Sequence, residues 1–124
     1  MPTPDQHRRQ AEHNKAFTRV LDLDTTPYLD WVVTAAFYAA LHLVEWFLTS
    51  RGHTGRRDHQ LRDAYISREA DLRAIYDDYT ELKYQSEGAR YESFRFKPAE
   101  VRNEILPLLD KIQAHITGQL LMKK

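Results

Sequence analysis

Two residues one helical turn apart, His42 and Glu45, mark where this chain could do chemistry. An imidazole that titrates near neutral pH beside a carboxylate can pass a proton, hold a cation or orient a phosphate. A second imidazole, His59, stands three residues before Arg62, while Arg90 adjoins Tyr91 and Arg102 adjoins Asn103. Guanidinium groups grip phosphate through paired N–H donors, and phenol rings such as Tyr38 and Tyr91 stack on bases. His42 and His59 are therefore the candidate proton carriers, and Tyr38, Glu45, Arg62, Arg90 and Tyr91 the candidate phosphate or ligand contacts.

Other chemistries are excluded. With no Cys among 124 residues there is no disulfide framework, thiolate metal site or Cys nucleophile, which fits a reducing cytosol. No Gly-x-Ser-x-Gly context supports a Ser nucleophile, and four glycines form no phosphate loop. A di-metal carboxylate bundle needs a Glu-x-x-His pair on each of two helices, and the chain has one reversed pair, so no metal or cofactor is expected. Eighteen Lys and Arg balance 18 Asp and Glu, which argues against broad coating of a polyanion. The charge is nevertheless segregated. Residues 51 to 62 carry Arg51, Arg56, Arg57, Arg62, His53 and His59 against Asp58, whereas residues 69 to 81 carry five acids against Arg73. The start, Met1-Pro2-Thr3-Pro4-Asp5, lacks an apolar h-region, so no signal peptide is expected.

The elements that must position these residues are helical, because no strand-length stretch alternates apolar and polar residues. A first helix is expected from residue 4 to between 22 and 24, with Ala11, Phe17, Val20 and Leu21 on its apolar face. Pro27 stops one helix and starts the next, which runs to residue 49 and is closed by Gly52. A short helix is expected within 51 to 67, a third long helix from 67 to 91 with Ser67 as N-cap, and a last one from 98 to 121 kinked at Pro107. The expectation is an all-α single domain over residues 1 to 124, an up-and-down bundle of four long helices with one short additional helix.

On the second helix Asp30, Thr34, Tyr38, His42, Glu45 and Thr49 share one arc of roughly 120° at about 100° per residue. The stripe reads either as a water-facing edge or as a polar seam against a ligand or another subunit. With charged and polar residues interrupting its apolar run, this helix reads as buried and central and not as a membrane span. In the third helix Leu72, Ile75, Tyr79, Leu82, Ser86 and Ala89 step three and four apart. Ser86 and Ala89 narrow that seam beside Arg90, which reads either as a solvated Arg at a tapering end or as a ligand contact. Val101, Ile105, Leu108, Leu109, Ile112 and Ile116 form the inner face of the last helix, and His7, His13 and His115 read as surface residues.

The run Trp31-Val32-Val33-Thr34-Ala35-Ala36-Phe37-Tyr38-Ala39-Ala40-Leu41-His42-Leu43-Val44-Glu45 resembles the signature helix of the HEPN superfamily. The likeness continues through His59 in Asp58-His59-Gln60-Leu61-Arg62 to Tyr79, Leu82, Ser86, Ala89, Arg90 and Tyr91, in order over residues 30 to 91. The resemblance implies a four- to five-helix bundle, usually a homodimer. Members include metal-independent endoribonucleases, toxins paired with nucleotidyltransferase antitoxins, and non-catalytic RNA- or nucleotide-binding forms. Nucleolytic members carry Arg, often followed by Asn, and then His near the start of the last helix. Arg102-Asn103 stands at that place, but Ile105, Leu106 or Pro107 occupies the expected His position, and His115 lies about three turns away. Proton transfer near pH 7 suits His and not a permanently charged Arg, so the catalytic set that the resemblance implies is His42 and His59 with Arg102, and Asn103 joins the phosphate or ligand contacts.

The first expectation is thus a HEPN-like, RNA- or nucleotide-binding cytoplasmic homodimer, catalytically weak or inactive. The alternatives are a protein-interaction subunit of a toxin–antitoxin or defence pair with a nucleotidyltransferase, and a metal-independent endoribonuclease with a rearranged His and Arg site.

Overall fold

The computed structural model describes residues 2–121, and among them every regular element is helical. Helix α1 (Pro4–Phe17) begins with Thr3 and Gln6 capping each other's backbone and Pro4 in the first turn. It stops short of residue 22, because the Thr18 hydroxyl donates to the Lys15 carbonyl at 2.6 Å and the chain turns. Val20 is consequently 71% exposed, and Phe17 also faces outward, so neither joins the inner face expected of them. Leu21 and Leu23 pack on the core from the turn instead.

Helix α2 (Leu29–Ser50) is the axis of the molecule, packed against α1 and the two later long helices. Val32, Val33, Ala36, Phe37, Ala39, Ala40, Val44, Phe47 and Leu48 are all sealed from solvent. By length and composition α2 could cross a membrane, yet 78% of its apolar window is buried inside this bundle. Gly52 follows it at φ +89°, a left-handed conformation that lets His53 N–H reach back to Leu48 O at 2.9 Å.

Helix α3 (His59–Arg68) starts where the Asp58 carboxylate accepts the Leu61 N–H at 2.8 Å. The expected third helix from residue 67 is two elements. Ser67 lies inside α3, and the chain then bends through Glu69–Leu72 and a 3₁₀ turn (Arg73–Ile75) before α4 (Tyr76–Tyr91). The bend brings both Leu72 and Ile75 into the core while Asp71 stays outside, paired with Arg51 at 2.9 Å. A straight helix would put these neighbouring groups on one continuous seam with no such change of direction.

The last element runs α5 (Pro98–Glu100), a π turn (Val101–Ile105) and α6 (Leu106–Leu121). The expected kink at Pro107 takes this form: Leu106 N–H bonds Val101 O, five residues back, and the wider turn accommodates a ring that a regular helix would crowd. Val101, Ile105, Leu109, Ile112 and Ile116 are buried as the spacing predicts, while Leu108 is half-buried. All fully buried apolar residues belong to one cluster.

Gly88 in α4 is the seat of the Phe94 ring, and a Cβ there would overlap that ring. Gly88→Ala gains helix propensity, about 1 kcal/mol, but must expel a ring stacked edge-on with Tyr84 and Phe96. A net loss of about 1–2 kcal/mol is expected from urea unfolding. A more stable variant would show that Phe94 is not held there.

Candidate functional site

The polar stripe of α2 does not face water. Thr34 and Glu45 are buried and His42 is half-buried, because α1 lies along this face and the segment from Arg57 to Arg62 closes its end. At His42 and Glu45 the stripe meets His7, Arg57 and Arg62 of the same chain, a partner that neither the water-facing nor the ligand-or-subunit reading offered.

Glu45 is the hub. Arg57 donates to it from Nε (3.0 Å to Oε2) and Nη2 (2.7 Å to Oε1), and Arg62 Nε donates to Oε2 at 2.8 Å. All three side chains are almost fully covered, at 2–8% exposure. The remaining guanidinium hydrogens find carbonyls, Arg57 on His53 O and Arg62 on Arg57 O. Burial alone would raise the Glu45 pKa, but the hydrogen bonds from Arg57 and Arg62 outweigh it and hold the carboxyl below its ordinary value. Glu45 and Arg62 are therefore committed to each other, the one as an internal counter-ion and the other as its partner.

Beside this hub His7 of α1 meets His42, Nδ1 to Nδ1 at 3.0 Å, and His7 Nε2 lies 4.0 Å from Glu45 Oε1. Only one proton fits between two nitrogens at that distance. If His42 supplies it, His7 carries its own proton on Nε2 toward the carboxylate, the arrangement electrostatics favours. His7 was expected at the surface and is buried, its partner being the stripe residue opposite. Burial, opposed in part by Glu45, lowers the His7 pKa, and burial followed by the nearness of His7 pushes His42 down to about 4. His42 is neutral at pH 7 and offers no charge to a phosphate. Its ring lines two open grooves between α1 and α2.

His59 keeps an exposed edge, and its Nδ1 sits 3.3 Å from Arg62 Nη1. Since guanidinium only donates, His59 accepts there and carries its proton on the outer Nε2. Partial burial against Phe37, then Arg62 and Lys83, lower its pKa.

Arg90 of α4 shares the Phe37 ring with His59. Its Cζ lies 5.8 Å from the Phe37 centroid, 5.3 Å from Tyr38 and 5.0 Å from Tyr91. Its Nε and Nη1 are buried with no hydrogen-bond partner among the described residues, and the guanidinium makes no ion pair there. Cation–π contact alone holds this charge. Asp63 of α3 gives one oxygen to Lys83 at 2.6 Å, and its Oδ1 is buried with no hydrogen-bond partner among the described residues.

Arg102 and Asn103 do not join this group. Arg102 is a surface residue paired with Asp24 at 3.0 Å, and Asn103 is exposed beside it. His115, expected at the surface, is half-buried and contacts the Asp71 carbonyl at 2.5 Å, whereas His13 is exposed as expected. The structure thus unites His42, Glu45, Arg62 and His59 in one network, sets Tyr38, Arg90 and Tyr91 next to it, and leaves Arg102 and Asn103 apart. Reasoning from sequence missed His7 and Arg57. The signal for His7 was its position one turn before Ala11, the other buried residue of α1. Among the described residues no three His, Asp or Glu side chains are grouped to hold a metal ion. Comparisons with protein-family models, with curated proteins and with solved structures give no match to this chain.

Proposed function

We propose that this chain is a HEPN-like domain, an up-and-down arrangement of four long helices that binds RNA or a nucleotide by its phosphate at Arg90, with His59 Nε2–H beside it and Tyr38 and Tyr91 available to stack. The carrying observation is the Arg90 guanidinium, ringed by three aromatic side chains, with its buried Nε and Nη1 lacking a hydrogen-bond partner among the described residues. A partly buried, uncompensated cation gains most from an anion delivered from outside. Neighbouring charge supports the same ligand, since His59 stands in the field of Arg62, Lys83 and Arg90, offset in part by Asp63. Binding is favoured over cleavage because the His42 Nδ1 is taken up by His7, and the Arg102 guanidinium is paired with Asp24. The homodimer and a nucleotidyltransferase partner belong to this reading, with exposed Val20 and Tyr28 as available surface.

The test is fluorescence anisotropy with a labelled single-stranded oligouridine. Arg90→Gln should weaken binding by about tenfold or more, the scale of one charge-assisted hydrogen bond, while Arg102→Gln leaves it within twofold. Equal affinity for the Arg90 variant and the wild type would refute the assignment.

A further inference from the structure

The Tyr38 ring that contacts Arg90 also lines a groove of about 430 Å3 between α1 and α2, together with Gln10, Asn14, Phe17, Trp31 and Thr34. Trp31 is 55% exposed although it begins the most apolar helix of the chain, and Phe17 beside it is 38% exposed. Planar rings left open to water at one end of a groove are a stacking surface.

The polar lining is neutral and oriented. Gln10 Nε2 donates to Asn14 Oδ1 at 3.0 Å, one helical turn apart on α1. That bond takes up Gln10 Nε2 and Asn14 Oδ1 and leaves Gln10 Oε1 as an acceptor and Asn14 Nδ2 as a donor on the lining of the groove. The Watson–Crick edge of each common nucleobase presents the complementary set, an N–H donor next to an acceptor. A phosphate has no donor for Gln10, and no cationic side chain lines this groove.

We infer that this groove is a nucleobase pocket. The inference rests on the phosphate reading of Arg90 and extends it: Tyr38 divides one bound nucleotide, with phosphate on Arg90 and the base between Tyr38 and Trp31, its edge on Gln10 and Asn14. The amide pair matches every base, so the pocket selects for the presence of a base and not for its identity.

The experiment compares adenosine 5′-monophosphate with ribose 5-phosphate by titration calorimetry, together with intrinsic fluorescence. Trp46 is buried, so quenching reports Trp31. The nucleotide should bind about tenfold tighter or more and quench saturably, and ribose 5-phosphate should bind without quenching. Trp31→Ala and Asn14→Leu, both on accessible positions, should each bring the nucleotide close to the ribose 5-phosphate affinity and leave the latter unchanged. Equal affinities in the wild type, or nucleotide binding untouched by both variants, overturn the base pocket. If Arg90→Gln still weakens both ligands, the phosphate reading survives that failure. Absence of binding by either ligand overturns both.

Discussion

Replacing Glu45 with Gln is expected to destabilise the fold by about 3–5 kcal/mol, the largest effect of any single polar substitution in this chain. One carboxylate serves two covered guanidinium groups, and Gln keeps the shape while removing the only negative charge bonded to Arg57 and Arg62. Neither cation can turn to water without dislodging the segment from Arg57 to Arg62 that closes over α2, since both also bond to carbonyls of that segment or the loop before it. The loss should appear as a lower urea midpoint with an unchanged slope. Glu45→Met combined with Arg57→Leu and Arg62→Leu should regain most of it, because removing a whole buried ion group is far less damaging than orphaning its cations. If Glu45→Gln were within 1 kcal/mol of wild type, the two arginines would have to be solvated in solution.

The second large effect is on pH dependence. In the fold His7 and His42 share one proton between their Nδ1 atoms and resist taking another, His42 down to about pH 4. In the unfolded chain each ring accepts a proton below about pH 6.5. Between these values the unfolded state binds more protons, so stability is complete above pH 6.5 and falls as pH drops toward 4. The facing charges are Glu45, which opposes the shift, and Arg57 and Arg62, which reinforce it. Glu45 acts in the same direction lower down: its own depressed pKa contributes stability that is lost as pH falls through that value. For His42 the effect is on the order of 2–3 kcal/mol. In thermal melts from pH 7 to 4.5 the wild type should lose stability steeply. His42→Gln should start lower and slope less, so the two curves converge, and parallel curves would contradict the shared-proton pair. The pair also joins α1 to α2, and α1 otherwise contributes Ala11 as its single buried apolar residue. Acid should therefore loosen α1 first.

Helical character, the central position of α2 and the inner face of the last helix were all legible in the chain, because each depends on local quantities. The 3.6-residue spacing of Val101, Ile105, Leu109, Ile112 and Ile116 identifies a buried face whatever it packs against, and Pro27, Gly52 and Pro98 punctuate helices through their own backbone restrictions. The break of the expected third helix was not legible. Residues 67 to 75 have helical spacing, and Leu72 and Ile75, three apart, would share one face of an unbroken helix as well; the break is visible only in the fold, where the Glu69 carbonyl accepts the Leu72 and Arg73 N–H groups and a 3₁₀ turn follows.

The same division holds at the site. Residue types and the family resemblance picked out His42, His59 and Arg102 as one set and Tyr38, Glu45, Arg62, Arg90, Tyr91 and Asn103 as another, since chemistry is a property of side chains, and they did not say which of these would meet. Whether Glu45 meets a ligand or an arginine, whether His42 is charged, and whether Arg102 stands near either are questions of distance and dielectric. Those are decided by which helix covers which. By laying α1 over the stripe, the fold turned His7 into the partner of His42 and enclosed Glu45 with Arg57 and Arg62, while Arg90 keeps two buried nitrogens without a hydrogen-bond partner among the described residues.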